Sequence, residues 1–392
     1  MKILKLGDIC EISTGSTDTK DATENGQYPF FDRSKKVKAS DKYLFDCEAL
    51  IMPGEGAEFL PRHYIGKFDL HQRAYAMYNF SDLINPQYLY YFLISVKEYF
   101  ADNAVGATVK SLRRRHFTDL EVPLPSLEKQ REIVEKLDSA FVEIDLLEGN
   151  LGLSSEKTNQ LEQSLLSASF APAEAKLESG NTSLNQSFAM KLLRLRDVCV
   201  FNPPKSEARN TLSPDDLVSF MPMQDLGIES ISAEASSSKP LTEVIKAYTY
   251  FAENDVLIAK ITPCFENGKM GIARNLVNGM GFGSSEYFVL RPTESVLGEY
   301  LYYFLRQEFV IENGRGIMTG AVGHRRVPAE YLENLEILIP SLARQREIVE
   351  KLNSAFGEIE VYKSEIKTRM SHASALRQSL LSSAFSQVEA VA

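Results

Sequence analysis

Two short stretches carry cations at a density that suits contact with phosphate. KSLRRRH holds Lys110, Arg113, Arg114, Arg115 and His116, and GHRR holds His324, Arg325 and Arg326. Each stands just before a repeated helical segment. A third run, RSKKVK, holds Arg33, Lys35, Lys36 and Lys38. In KITPCFENGK, residues Lys260, Thr262 and Lys269 flank an irregular stretch with Pro263 and Gly268 between strand-like runs. A loop of that kind can enter a nucleic-acid groove. Cations position a nucleic-acid backbone, while base edges must be read by side chains that reach them. For each group the alternative is a solvated surface turn.

A net charge of −10 argues against such a partner until its distribution is considered. Residues 1–123 carry 16 cations against 17 acids, and residues 124–170 carry 4 against 9. Residues 171–338 carry 16 against 21, and residues 339–392 carry 7 against 6. Much of the acid therefore lies on one helical segment and on the second intervening domain. Affinity for phosphate follows the local charge at the contact more than the total.

Other chemistry finds less support. The histidines His63, His71, His116, His324 and His372 are scattered, without partners at metal-ligand spacing. GEGAEFLP from Gly54 lacks the Gly-Lys-Ser/Thr of a phosphate loop. No nucleophile–base arrangement is recognisable. Asn202-Pro203-Pro204-Lys205 is similar to the Asn-Pro-Pro-aromatic motif of amino-methyltransferases, where an aromatic ring stacks on a flipped base. Lys205 stands in the place of that ring, and no glycine-rich cofactor turn follows a strand. The stretch reads as a turn. Cys10, Cys47, Cys199 and Cys264 form no CxxC pair and read as reduced thiols, Cys10 and Cys199 as core residues in LGDIC and LRDVC. No apolar run reaches membrane-spanning length and no signal-peptide pattern opens the chain, so a cytoplasmic protein is expected.

The elements that hold these loops are repeated. LPSLEKQREIVEKLDSAFVEID from Leu124 matches IPSLARQREIVEKLNSAFGEIE from Ile339, and LEQSLLSASF from Leu161 matches LRQSLLSSAF from Leu376. Both pairs share an offset of 215 residues, although the sequence between them is almost unrelated. Length kept without identity suits a rod. Small and apolar residues recur by three and four: Ile133, Leu137, Ala140, Ile144, Leu147, Leu151, Ser154, Thr158, Leu161, Leu165 and Ala168. The second set runs Ile348, Leu352, Ala355, Ile359, Tyr362, Ile366, Arg369, Ala373, Leu376, Leu380 and Ser383. This is a coiled-coil seam, with Ser126 and Ser341 as N-caps and Gly149 and Gly152 as weak points. A helix of about 45 residues spans about 65–70 Å, and a linker over 171–190 reaches only about 70 Å at full stretch. Antiparallel helices remove the need to cross the rod.

The expected fold class is thus α+β, with heads of mixed or antiparallel sheet on two long antiparallel coiled-coil helices and pseudo-two-fold symmetry. Residues 1–123 form a first head, 124–170 a central helix, 171–190 a linker, 191–338 a second head and 339–392 a C-terminal helix and tail. QYLYYFL from Gln87 and EYLYYFL from Glu299 read as core helices rather than stacking platforms.

At this point the chain resembles the specificity subunits of Type I restriction-modification systems over nearly its whole length. The resemblance rests on the Leu/Ile-Pro-x-Leu-x-x-Gln-x-x-Ile-Val-x-x-Leu segments, on KITPCFENGKMGIA, on FGSSEYFVLRP, and on the Gly-Ala…Arg stretches GATVKSLR from Gly106 and GAVGHRR from Gly320. It implies two target-recognition domains that each read one part of a split double-stranded DNA sequence, with the helices setting the spacer. It implies no catalytic role and no cofactor for this chain. Two modification subunits would carry S-adenosylmethionine chemistry on adenine, and restriction subunits would carry ATP- and Mg-dependent chemistry. In the first domain YIGKFDLHQRAYAM from Tyr64 stands where NGKMGIA stands in the second. On the residues alone, a self-contained methyltransferase or nuclease and a protein-binding coiled-coil adaptor stay open. Turnover by the purified chain would mark the first, and absence of any sequence-dependent footprint the second.

Overall fold

Both repeated segments form helices. The computed structural model describes residues 2–171, 190–228, 230–321 and 323–389. One helix runs Leu127–Phe170 and continues through Gly149 and Gly152, and the other runs Leu342–Glu389. Each starts on its expected cap. Ser126 Oγ accepts the Lys129 N–H at 3.3 Å, and Ser341 Oγ accepts the Arg344 N–H at 3.4 Å. The expected linker lies outside the described residues except for Ala171 and Met190.

The chain divides into two compact units, Met1–Leu153 with Ile366–Ala392, and Ser154–Glu365. The expected boundaries set heads apart from helices. Packing instead divides each helix between the units, because the apolar faces of the helix ends join the head cores. In the first unit Ile133, Leu137, Phe141 and Ile144 share a core with Tyr88, Phe92, Ala373, Leu381 and Phe385. The Phe385 ring lies 5.3 Å from Tyr88 and 5.6 Å from Phe92. In the second unit Leu166 shares a core with Tyr300, Ile348 and Leu352, and Phe170 lies 4.8 Å from Tyr300. Each helix thus ends against the head that precedes the other helix, the antiparallel arrangement.

The seam departs from its expected register toward the helix ends. Ile133, Leu137, Ile144, Leu151 and Thr158 are buried, but the next buried positions are Glu162 and Leu166, while Leu161 is 50% exposed. Likewise Ile359, Ile366 and Ala373 are buried, and then Leu381 and Phe385, while Leu376 is 51% exposed. Steps of four replace the three–four alternation where a helix packs on a head. A straight α-helix drifts from a heptad in that direction. Buried Glu162 is matched by Lys363 at 2.9 Å.

Each head has its own sheet, and the two follow a like strand order. In the first, the order is Glu11–Thr14, Ala74–Tyr78, Phe45–Pro53, Arg62–Leu70, Tyr28–Phe31, Lys38–Ser40. In the second it is Cys199–Phe201, Tyr287–Pro292, Val256–Ala259, Met270–Ala273, Ser232–Ala233. Pairings run antiparallel until the contacts of Phe30 and Phe31 with Asp69 and Leu70, and of Ser232 and Ala233 with Ile272 and Ala273, which are parallel. Arg62–Leu70 therefore occupies the place of Met270–Ala273, as the YIGKFDL comparison expects. The second head adds a four-stranded sheet of Ser237–Pro240, Leu217–Met221, Met280–Gly283 and Thr249–Ala252.

A ribbon closes each head onto its helix: Lys2–Lys5 pairs with Glu121–Leu124, and Lys191–Arg194 with Glu336–Ile339. Cys10 and Cys199 are buried beside these ribbons, and burial pushes both thiols up to about 12. They are core residues.

The junctions repeat bond for bond. Gln130 is fully buried. Its Nε2 donates to the carbonyls of Leu83 (2.9 Å) and Pro125 (3.0 Å), and its Oε1 accepts the Asn85 N–H at 2.8 Å. Gln345 makes the same three bonds, to Ser295 (2.9 Å), Pro340 (3.0 Å) and Leu297 (2.8 Å). Tyr88 and Tyr300 hydroxyls donate to the carbonyls of Pro123 and Leu338 at 2.8 Å. Tyr91 donates to Asp138, and Tyr303 to Asn353 at 2.6 Å. Tyr88, Tyr91, Tyr300 and Tyr303 are thus core residues; the first of each pair ties its helix to the ribbon and the second ties it to the long helix.

Candidate nucleic-acid interface

In the first head, Arg113, Arg114 and Arg115 lie exposed at the start of the helix Arg114–Thr118. The Arg113 backbone N–H donates to His116 Nδ1 at 3.2 Å. Burial holds the His116 imidazole below its usual range, and Arg115 and Arg113 lower it further, so it is neutral at neutral pH. Among the described residues no carboxylate pairs with any of the three arginines. Their charge faces solvent.

Just upstream, Lys110 is fixed by backbone and side chain. Its carbonyl accepts the Gly56 N–H at 3.0 Å, and its Nζ donates to the Ala101 carbonyl at 3.0 Å. The Leu112 N–H donates to the Gly54 carbonyl at 2.7 Å, and Ser111 bridges to both Glu55 and Val105. Gly106 makes this loop possible: at φ +134°, a Cβ there would stand 2.2 Å from the Val109 carbonyl oxygen.

The same 54–58 loop collects the third basic run. Glu55 meets Arg33 at 3.6 Å and Arg73 at 2.7 Å, and Lys35 meets Glu58 at 3.0 Å. Arg62 Nη2 donates to the carbonyl of Lys35 at 3.0 Å and to that of Ser34. Arg33, Lys35 and Lys110 are thereby gathered around one loop. Lys36 is exposed on its own stretch between Phe31 and Lys38. Lys38 turns the other way and binds the buried Asp32 at 2.7 Å. Burial alone would raise the Asp32 carboxyl, but the Lys38 contact and the Ser34 N–H at 2.8 Å hold it below the usual range. Lys38 is a support for the loop, not part of its outer face.

In the second head the KITPCFENGK loop and GHRR meet. The Thr262 N–H donates to the Arg325 carbonyl and the Val327 N–H to the Lys260 carbonyl, both at 2.9 Å. These bonds mirror Gly56 to Lys110 and Leu112 to Gly54. The mirror corrects the expected match between the two clusters. Lys110 and Ser111 correspond to Arg325 and Arg326, whereas Arg113, Arg114 and Arg115 correspond to Pro328, Ala329 and Glu330. One extra residue after Gly320 hides this offset in the sequence.

The side chains differ as well. Arg326 grips Glu286 with two bonds, Nε to Oε2 at 2.9 Å and Nη2 to Oε1 at 2.7 Å. Arg325 meets Glu266 at 3.2 Å, where Thr262 Oγ1 also donates at 3.2 Å. The Arg326 bonds hold the Glu286 carboxyl below its usual range against burial, with Lys260 and His324 adding to the effect. Lys260 Nζ stands 5.4 Å over the Phe288 ring. Lys269 is half-buried and donates to the Met223 carbonyl at 3.0 Å, inside the loop's own scaffold. His324 is exposed.

Arg62 and Arg73 escape a search for cation runs because each stands alone in sequence. Glu266 and Glu286 lie inside the quoted CFENGK and SSEYFVL stretches, but a search for cations passes over acids. Asn202 Oδ1 accepts the Val289 N–H at 3.1 Å and its own N–H donates to the Val289 carbonyl at 2.7 Å, so the Asn-Pro-Pro stretch is a turn sewn to the sheet. Among the described residues no three His, Cys, Asp or Glu side chains are grouped to hold a metal, and no helix is long and apolar enough to cross a membrane.

The family described as Type I restriction modification DNA specificity domain matches residues 1–152 and 190–369. The chain belongs to this family. It is a specificity subunit, a DNA-recognition chain rather than an enzyme, and its heads are two target-recognition domains. Similar proteins include the EcoDI Type I restriction enzyme specificity subunit of Escherichia coli, 25% identical over 98% of this chain and 87% of that one. The Escherichia coli EcoEI specificity subunit is 35% identical over 40% of this chain and 26% of its own length. A chain in a solved structure concerned with complex assembly and conformational transition of the type I R-M system has the same fold, with a TM-score of 0.66 at 19% identity over 98% of this specificity subunit and 97% of that chain.

Proposed function

We propose that this specificity subunit reads a bipartite double-stranded DNA target in the cytoplasm, one half-site per head, and directs adenine methylation and restriction by partner subunits. The observation that carries the reading is the contrast within the repeat. The junctions of head to helix recur bond for bond, while the loops that carry the cations differ. Two recognitions on one kind of mount is what a split target requires.

The residues proposed to meet DNA are Arg33, Lys35 and Lys36 with Lys110, Arg113, Arg114 and Arg115 in the first head. In the second they are Lys260, Thr262, His324, Arg325 and Arg326. Lys38 and Lys269 are proposed as supports of the loops beside them. The exposed arginines suit phosphate, and Thr262 with its neighbours suits a groove. The helix pair sets the spacer and offers docking surfaces to two modification subunits. S-adenosylmethionine belongs to those subunits, and ATP and Mg to restriction subunits.

Co-expression with the neighbouring methyltransferase gene, followed by adenine-methylation sequencing, tests this directly. A split motif with methylation on opposite strands is expected. Deleting a heptad from the middle of Leu127–Phe170 together with its antiparallel counterpart should change the spacer and leave the half-sites. Altered half-sites with an unchanged spacer would contradict the ruler. Methylation that needs no second gene would favour a self-contained enzyme.

A further inference from the structure

The second head half-buries two carboxylates beneath Arg325 and Arg326, whereas Arg113, Arg114 and Arg115 of the first head meet no carboxylate among the described residues. Glu266 and Glu286 side chains are 13% and 22% exposed, while Arg325 and Arg326 above them are 41% and 47% exposed. The two-point bond of Arg326 to Glu286 uses the guanidinium edge that a phosphate would use. One oxygen of Glu266, Oε2, is buried without a hydrogen-bond partner. Its charge is therefore met at Oε1, by Arg325 and Thr262. The backbone beneath is fixed: Arg326 bridges to both Ile261 and Thr319. Only the side chains are free to change partner.

We infer that Glu266 and Glu286 are specificity-determining residues that compete with DNA phosphate for Arg325 and Arg326. This rests on reading the basic loops as DNA contacts. A duplex of arbitrary sequence offers phosphate but little else, and taking an arginine from a partly buried carboxylate leaves that charge unpaired. Only a sequence that fits the rest of the head supplies compensating contacts. Arg113, Arg114 and Arg115 pay no such penalty and engage any duplex. Capture therefore belongs to Arg113, Arg114 and Arg115, and discrimination by charge exchange to Arg325 and Arg326.

The test uses the full chain co-purified with its methyltransferase partner. Affinities are measured across salt concentrations for a random-sequence duplex and for a duplex carrying the motif returned by methylation sequencing. E266Q and E286Q keep side-chain volume and acceptor atoms. Together they are expected to raise random-duplex affinity roughly 3- to 10-fold at low salt and to steepen the log–log salt slope by about 1–2. The ratio of motif to random binding should fall by the same factor. Adding R325A and R326A should abolish the gain. R326K, which keeps the charge but loses the two-point grip, should move random-duplex affinity in the same direction as E286Q and guards against a misfolded glutamine variant.

If the glutamine variants and R326K leave random binding and slope unchanged while R325A and R326A still weaken motif binding, the competition is overturned and the DNA reading stands. If R325A with R326A, and alanine at Arg113, Arg114 and Arg115, all leave binding and methylation intact, the DNA reading itself falls.

Discussion

At the foot of each head the same side-chain bonds recur, and at its cationic edge they do not. Gln130 and Gln345 make identical triplets of hydrogen bonds, 215 residues apart. Above them, Arg113–Arg115 stand open in one head, while Arg325 and Arg326 are closed by carboxylates in the other. A duplicated chain can let its loops diverge because the attachment does not run through them. The glutamine is fully satisfied within the junction, so nothing at the edge alters what holds head to helix.

The largest effects should separate the two edges. Replacing Arg113, Arg114 and Arg115 with alanine should lower affinity for every duplex by roughly 100-fold and reduce the salt slope by about 3. Salt-titrated binding measures both. R325A with R326A should cost only about 10-fold on random sequence, because part of each contact is spent breaking an ion pair. Equal losses from both sets would erase the contrast.

The junctions should instead respond alike. Q130A leaves the Asn85 N–H and two carbonyls without partners and should destabilise the first unit by about 2–4 kcal/mol. Q345A should do the same to the second. Denaturant unfolding with a reporter in each head would show it, and a loss confined to one head would mean that the two attachments are not equivalent.

A smaller difference is expected between two glycines. G106A places a Cβ 2.2 Å from a carbonyl oxygen at φ +134°, and G320A places one 2.8 Å from another at φ +125°. Both should destabilise their loops by roughly 1–3 kcal/mol, the first more than the second. Thermal melting of the two variants would rank them.

The smallest effect concerns Asp32. Its carboxyl lies below the ordinary value, so its contribution is complete above the unfolded value of about 3.9 and fades as pH falls through the folded one. D32N should remove that acid sensitivity from the first head. An unchanged acid-unfolding curve would show that Asp32 does not anchor the 32–38 loop.

Much of this was legible in the sequence because it is local or periodic. The serine caps, the long helices and the core tyrosines of YLYYFL follow from spacing over a few turns. The strand YIGKFDL could be matched to NGKMGIA by position alone. What escaped depends on distant pairings. Arg326 finds Glu286 and Arg325 finds Glu266 across strands, and no local rule distinguishes a paired arginine from an open one. The offset between KSLRRRH and GHRR has the same origin: backbone bonds to Gly54 and Lys260 define the register, and a single extra residue conceals it. The seam shifts near Leu166 and Leu381 because the heads join the other helix in burying the helix ends.

The central claim is that each head reads its own half of a split target from a common mount. Exchanging residues 191–338 for those of a relative with a different second head, then sequencing adenine methylation beside the methyltransferase partner, tests it most directly. One half-site should change while the other half-site and the spacer stay as they were. A change in both half-sites, or in neither, would contradict the account.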